Sequence, residues 1–211
     1  NYTTLSMAEA GGDHPAHAML EKVMTASNRA IQLARNLYTI GREDDHTRSQ
    51  VNVTAVIRET LGLVKSSLGK ALVLEDDLGD GPLMAEAEET RVQQVVLNLV
   101  ANAGQAMGDG KGTLTVSAEP VCLASDTASL YTRIQPGNYI KITVSDTGPG
   151  IEAEALPRLF EPYFSTKTGQ ANAGLGLAVV LGIVKNFKGG IDVVSTPGSG
   201  TAFQVFLPVP H

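Results

Sequence analysis

Asn98 and Asn102 stand four residues apart in the run Gln94-Val-Val-Leu-Asn98-Leu-Val-Ala-Asn102-Ala, so a helix puts both on one face. An amide side chain offers an oxygen that can ligate a hard cation and a nitrogen that can donate to phosphate oxygens. Val95, Val96, Leu99, Val100 and Ala103 surround the pair, which predicts partial burial and a need for polar partners. A second group opens at Asp146, in Asp146-Thr-Gly148-Pro-Gly150 followed by Ile151. A carboxylate only accepts hydrogen bonds, which suits the exocyclic amine of adenine and opposes the carbonyl of guanine. Gly148 and Gly150 let backbone come close to a planar base.

A third group is Phe160-Glu-Pro-Tyr-Phe164-Ser-Thr166-Lys167. Lys167 is a point charge able to reach a β- or γ-phosphate, and Phe160, Tyr163 and Phe164 are expected to anchor a lid by packing on the domain. Residues 168–173 are small and polar, as a lid tip should be. Gly174-Leu175-Gly176-Leu177 then introduces a helix whose N-terminal amides can hold phosphate oxygens. The turn Gly198-Ser-Gly200-Thr201 reads equally as a further glycine turn of the site or as a plain hairpin.

The elements that must position these residues follow from hydrophobic period. Helical spacing predicts helices over 53–68, 88–107 and 175–187. Alternation predicts strands at 71–75, 83–85, 114–118, 140–144, 191–195 and 201–207. Residues 121–137 show no sharp pattern and read as a variable hairpin loop. One mixed, mostly antiparallel sheet with helices on one face, an α+β sandwich, is the economical architecture. Ahead of it, Leu20, Met24, Ile31, Ala34, Leu37 and Tyr38 recur at helical spacing. Gly11-Gly12-Asp13-His14-Pro15 breaks this pattern, so 1–10 and 16–41 are expected to form a helical hairpin, with a polar linker in 41–50.

In this order the four blocks resemble the N, G1, F and G2 boxes of the sensor histidine kinase ATP-binding domain, over roughly residues 48–210. The resemblance implies a Bergerat-type ATP-binding fold over 51–210, a linker at 45–50 and a partial dimerisation segment at 1–44. It implies ATP and Mg2+ as ligands. The nucleotide residues would be Asn98, Asn102, Asp146, Gly148, Gly150, Ile151, Phe160, Phe164, Thr166, Lys167, Gly174, Leu175, Gly176, Leu177 and Thr201. Asn102 is the implied Mg2+ ligand and Asn98 a possible second. Gyrase-type relatives carry a water-activating glutamate where Asn98 stands; an asparagine cannot take a proton, so slow hydrolysis is expected and the γ-phosphoryl is kept for another nucleophile. Asn1-Tyr2-Thr3-Thr4-Leu5 looks like the tail of the family's His-Glu-x-Asn-Asn box, which implies a phosphoacceptor four residues before residue 1. His14, His17, His46 and His211 lack the neighbours of that box, so the chain is expected to bind ATP without phosphorylating itself. The implied partners are a second copy, through the N-terminal helices, and a response-regulator receiver domain. A nucleotide-sensing pseudokinase and an ATP-hydrolysing machine of the same fold are the alternatives.

Composition narrows the field further. A net charge of −6 argues against nucleic acid as a partner. The single cysteine, Cys122, allows no internal disulfide. No apolar run reaches the roughly 20 residues of a membrane span. A cytoplasmic location is expected, with a membrane-anchored parent still open.

Overall fold

The computed structural model describes residues 49–65, 72–108, 111–164 and 174–209. All of these fall in the second of the two units into which the chain divides, Glu43–His211. The expected N-terminal hairpin, all four histidines, Thr166, Lys167 and the lid tip lie outside the described residues.

Alternation builds the sheet. Strand β7 (Gly137–Asp146) buries Ile140, Ile142 and Val144, while Lys141, Thr143 and Ser145 between them stay partly exposed. Strand β9 (Gly200–Pro208) answers with Phe203, Val205 and Leu207, paired in register with Val144, Ile142 and Ile140. Beyond β7 lies β4 (Gly112–Leu123), then β2 (Leu72–Asp77); beyond β9 lies β8 (Gly190–Thr196). The order β2-β4-β7-β9-β8 is antiparallel throughout except for the parallel β2–β4 pair. A short antiparallel ribbon of β1 (Ser49–Asn52) and β3 (Met84–Ala87) completes the main body.

Three helices cover the apolar face: α1 (Val53–Val64), α2 (Glu89–Met107) and α3 (Gly176–Asn186). The Asn52 side chain caps α1 by accepting from the Ala55 amide at 3.2 Å. Helix α2 lies between the other two and against β7 and β4. It buries Val92, Val95, Val96, Leu99, Val100 and Ala103, at about 2 kcal/mol for each large side chain. That stripe fixes how the helix is rotated, and so where its polar face points.

The expected one-face sandwich is what the chain adopts, with two differences. Ser49 and Gln50, read as linker, are already strand, because β3 offers them a partner. Residues 121–137 are not a loop throughout. Strand β4 runs on to Leu123, paired with Gly137, and a small hairpin, β5 (Thr127–Ala128) and β6 (Arg133–Ile134), folds back across the sheet end. Hydroxyls hold it there: Ser129 Oγ and Thr132 Oγ1 donate to the Ile191 carbonyl at 2.7 and 3.1 Å, and the Ile191 amide donates to Thr132 Oγ1 at 2.9 Å. Ile134 packs with Tyr139 and Phe206 in a second apolar cluster.

Candidate functional site

The polar face of α2 carries Arg91, Gln94, Asn98, Asn102 and Gln105, all within one arc of the 3.6-residue repeat. It contains no carboxylate. Arg91 leans on Glu88, with Nε 3.6 Å from Oε2. Asn98 and Asn102 are both half-buried. The Asn98 amide nitrogen is buried and has no hydrogen-bond partner among the described residues. A buried donor left this way costs about 1–3 kcal/mol, so the position favours an acceptor.

The first residue of α3 comes up against that amide: a Cβ added to Gly176 would stand 3.8 Å from Asn98 Oδ1. Leu175, at the helix N-cap, is buried and makes no side-chain capping bond, and no acidic residue lies in the first turn. The leading amides of α3 therefore present donors and partial positive charge beside Asn98.

At the far end of the α2 face lies the carboxylate. The core-facing register of β7 runs Ile140, Ile142, Val144 and ends in Asp146, 7 % exposed. An acidic side chain thus occupies a place the sheet otherwise fills with aliphatics. Asp146 Oδ1 accepts from the Gly148 amide at 2.8 Å, and a Cβ on Gly148 would stand only 2.6 Å from that oxygen. The end of α2 closes this corner, with Met107 Cγ 3.3 Å from the same point.

Asp146 continues sideways into a polar row. Thr201 pairs with it across β9, and Ser195 pairs with Thr201 across β8. The Ser195 and Thr201 hydroxyl oxygens are 2.9 Å apart, and Ser195 Oγ accepts from the Ile151 amide at 2.9 Å. The loop after β7 and the β8–β9 turn interlock here: Gly198 N donates to Pro149 O at 2.6 Å. Gly150 (φ 73) and Gly200 (φ 103) sit in left-handed backbone, and a Cβ on either would collide with the carbonyl of Thr196 or of Asp146. The turn at 198–201 is thus part of the Asp146 corner and more than a plain hairpin.

The segment between these ends is anchored unevenly. Phe160 is buried, edge-on to Tyr131 with centroids 4.5 Å apart. Phe164 is half-buried, with the Arg158 guanidinium 4.5 Å over its ring. Tyr163 does not pack on the domain as expected: it is 67 % exposed. Its φ of 68 turns the chain so that its amide donates to Gly174 O at 3.2 Å, which sends the ring outward. Leu177 packs against the main core.

The fold therefore gathers Asp146, Gly148, Gly150, Ile151 and Thr201 at one corner, and Asn98 with Leu175 and Gly176 at another. Asn102 lies one helical turn beyond Asn98 toward the first corner. Sequence reading missed Ser195, whose place beside Thr201 needs the β8–β9 register.

Comparison with known proteins gives the family. Residues 87–211 match the family described as histidine kinase-, DNA gyrase B-, and HSP90-like ATPase. The sensor kinase CckA of Brucella abortus is 34% identical over 92% of this chain, and the sensor histidine kinase ZraS of Escherichia coli K12 is 32% identical over 96% of it. The chain spans 20% of the first relative's length and 39% of the second's. The solved catalytic domain of the histidine kinase ThkA superposes with a TM-score of 0.59 at 26% identity, covering 76% of this chain and 95% of that domain. The chain belongs to the histidine kinase-, DNA gyrase B- and HSP90-like ATPase family, and within it to the sensor histidine kinase ATP-binding domains.

Proposed function

We propose that this domain binds ATP as its magnesium complex and serves a sensor kinase that moves the γ-phosphoryl to a histidine, for relay to an aspartate on a receiver domain. In that step an N–P bond forms on the imidazole as the P–O bond to the departing ADP breaks. The observation that carries the reading is the buried Asn98 amide without an acceptor, beside the uncapped start of α3. Donors on a side chain and at a helix N-terminus beside it suit phosphate oxygens.

The rest of the site supports the same occupant. Asp146 offers an acceptor for the adenine amine, and Thr201 and Ser195 extend that polar edge. From Asn98 to Met107 the α2 face runs about 13 Å, enough to lie along an extended nucleoside triphosphate. Asn102, on the stretch between phosphates and base, would hold Mg2+ through its amide oxygen. When bound, Mg2+ neutralises phosphate charge and fixes the angle of the transferred group. Lys167 is assigned to the β- or γ-phosphate. Catalysis in this scheme is positioning and charge stabilisation. Because the α2 polar face carries no carboxylate, water has no base there, which weighs against an ATP-hydrolysing machine.

The acceptor is assigned to a histidine other than His14, His17, His46 and His211, so the chain alone would not label itself. Residues 1–44 are proposed to pair with a second copy into a four-helix bundle, in a cytoplasmic setting. Calorimetry with ATP, with and without Mg2+, tests the binding step; absence of ATP binding sinks the proposal. Label from γ-phosphate-tagged ATP on a histidine of the whole kinase tests the transfer. Tight binding without such label would favour a nucleotide-sensing pseudokinase.

A further inference from the structure

At the hairpin end of the sheet, away from Asp146, lies a cleft of about 470 Å3 lined by Tyr131, Thr132, Arg133, Tyr139, Lys185 and Lys188. That volume is in the range of small-molecule sites, and no carboxylate lines it. Arg133 is committed to Asp126, to which its Nε donates at 2.9 Å. Lys185 and Lys188 have no ion-pair partner among the described residues. In a chain of net charge −6, two uncommitted ammonium groups over one cleft mark a place for an anion.

The backbone at Lys188 points the same way. Helix α3 closes by two reverse bonds, Lys188 N to Lys185 O at 2.9 Å and Gly189 N to Val184 O at 3.0 Å. This closure needs a left-handed residue in the middle, most often glycine. Here that residue is Lys188, with φ 56, and glycine follows one position later. A residue with a Cβ is held against local preference, and its charge lines the cleft.

The cleft wall also reaches residues 156–160. The Tyr131 hydroxyl donates to Leu156 O at 2.7 Å, and its ring meets Phe160. The hairpin that lines the cleft thus braces the 3-10 turn Leu156–Arg158 and the Phe160 ring.

We propose that this cleft is a second ligand site, for a small anion bearing phosphate-type groups held by Lys185 and Lys188, and that its occupancy is felt through Tyr131 at the turn Leu156–Arg158 and Phe160, and so at the nucleotide site proposed above. Inorganic pyrophosphate is the probe, titrated into the full chain with the nucleotide site saturated by AMPPNP and magnesium in excess of both. Amide resonances of Thr132, Arg133, Lys188 and Gly189 should shift and saturate. Lys185→Gln/Lys188→Gln should weaken that binding about tenfold or more. Lys188→Gly, which suits the helix closure, should fold at least as well and still lose affinity. Shifts confined to amides around Gly148 and Gly176, or equal affinity in the double variant, overturn the site. The AMPPNP dissociation rate should change when pyrophosphate is present, and Tyr131→Phe should abolish that change even with pyrophosphate raised until the variant's own cleft is saturated. An identical rate with and without pyrophosphate overturns the coupling.

Discussion

The two ends of β7 follow one alternation and finish in opposite ways. At the Asp146 end the core-facing register closes on a buried carboxylate, walled by glycines whose missing side chains leave room for backbone. At the Gly137 end the outer-facing register closes on Tyr139, buried under a hairpin and beside lysines. The first end is tightly interlocked, with shape set by main chain; the second is an open cleft with charge set by side chains. On the two proposals above, a planar base at the first end tolerates little movement, whereas an anion held by flexible ammonium groups at the second tolerates more.

Substitutions should separate these ends. The largest effect is expected for Asp146→Asn, which replaces an acceptor-only group with one that also donates. ATP affinity measured by calorimetry should fall about a hundredfold, equivalent to about 2.7 kcal/mol; an unchanged affinity removes the adenine assignment. Next is Gly150→Ala, in left-handed backbone with the Thr196 carbonyl in the way. Its unfolding free energy from denaturant melts should drop by about 2 kcal/mol, and wild-type stability would show that the two turns do not lock each other. Asn102→Ala should leave ATP binding in EDTA unaltered and lower the affinity measured with Mg2+ about tenfold.

At the other end, Tyr131→Phe should change the alkaline limb of stability. Burial, and then the nearby Asp192 carboxylate, raise the Tyr131 pKa above its ordinary 10.0. The folded state keeps a proton that the unfolded state releases, so this contribution is full below about pH 10 and is lost as pH rises through the folded value. The variant should lose less stability above pH 10 than the parent; parallel curves would contradict it. Smallest is Lys188→Gly, expected to gain about 1 kcal/mol by relieving the left-handed lysine. Destabilisation by this change would mean that the lysine contributes more through the helix end than its backbone costs.

Much of the candidate site's layout was legible because its signals are local. The pair Asn98 and Asn102 announces itself by spacing among aliphatics, and Asp146 by ending an alternating run. The insertion of β9 between β7 and β8 was not legible, nor was the Asp146–Thr201–Ser195 row, because register joins residues some 50 positions apart. The hairpin at 124–136 hides for another reason. Its ordering comes from Ser129 and Thr132 bonding a distant backbone group at Ile191, and hydroxyls of that kind leave no periodic trace. Tyr163 misled because an aromatic between two packed phenylalanines reads as a third anchor until the backbone dihedral is known.

The strand arriving last among the described ones, β9, takes a central slot in the sheet, flanked by β7 and β8. During synthesis on the ribosome, the inner edge of β7 must wait without its neighbour until the segment to Pro208 has emerged. The Asp146 corner, completed by Thr201, therefore forms late, and until then the nascent chain shows an open hydrogen-bonding edge of the kind that invites chaperones or aggregation.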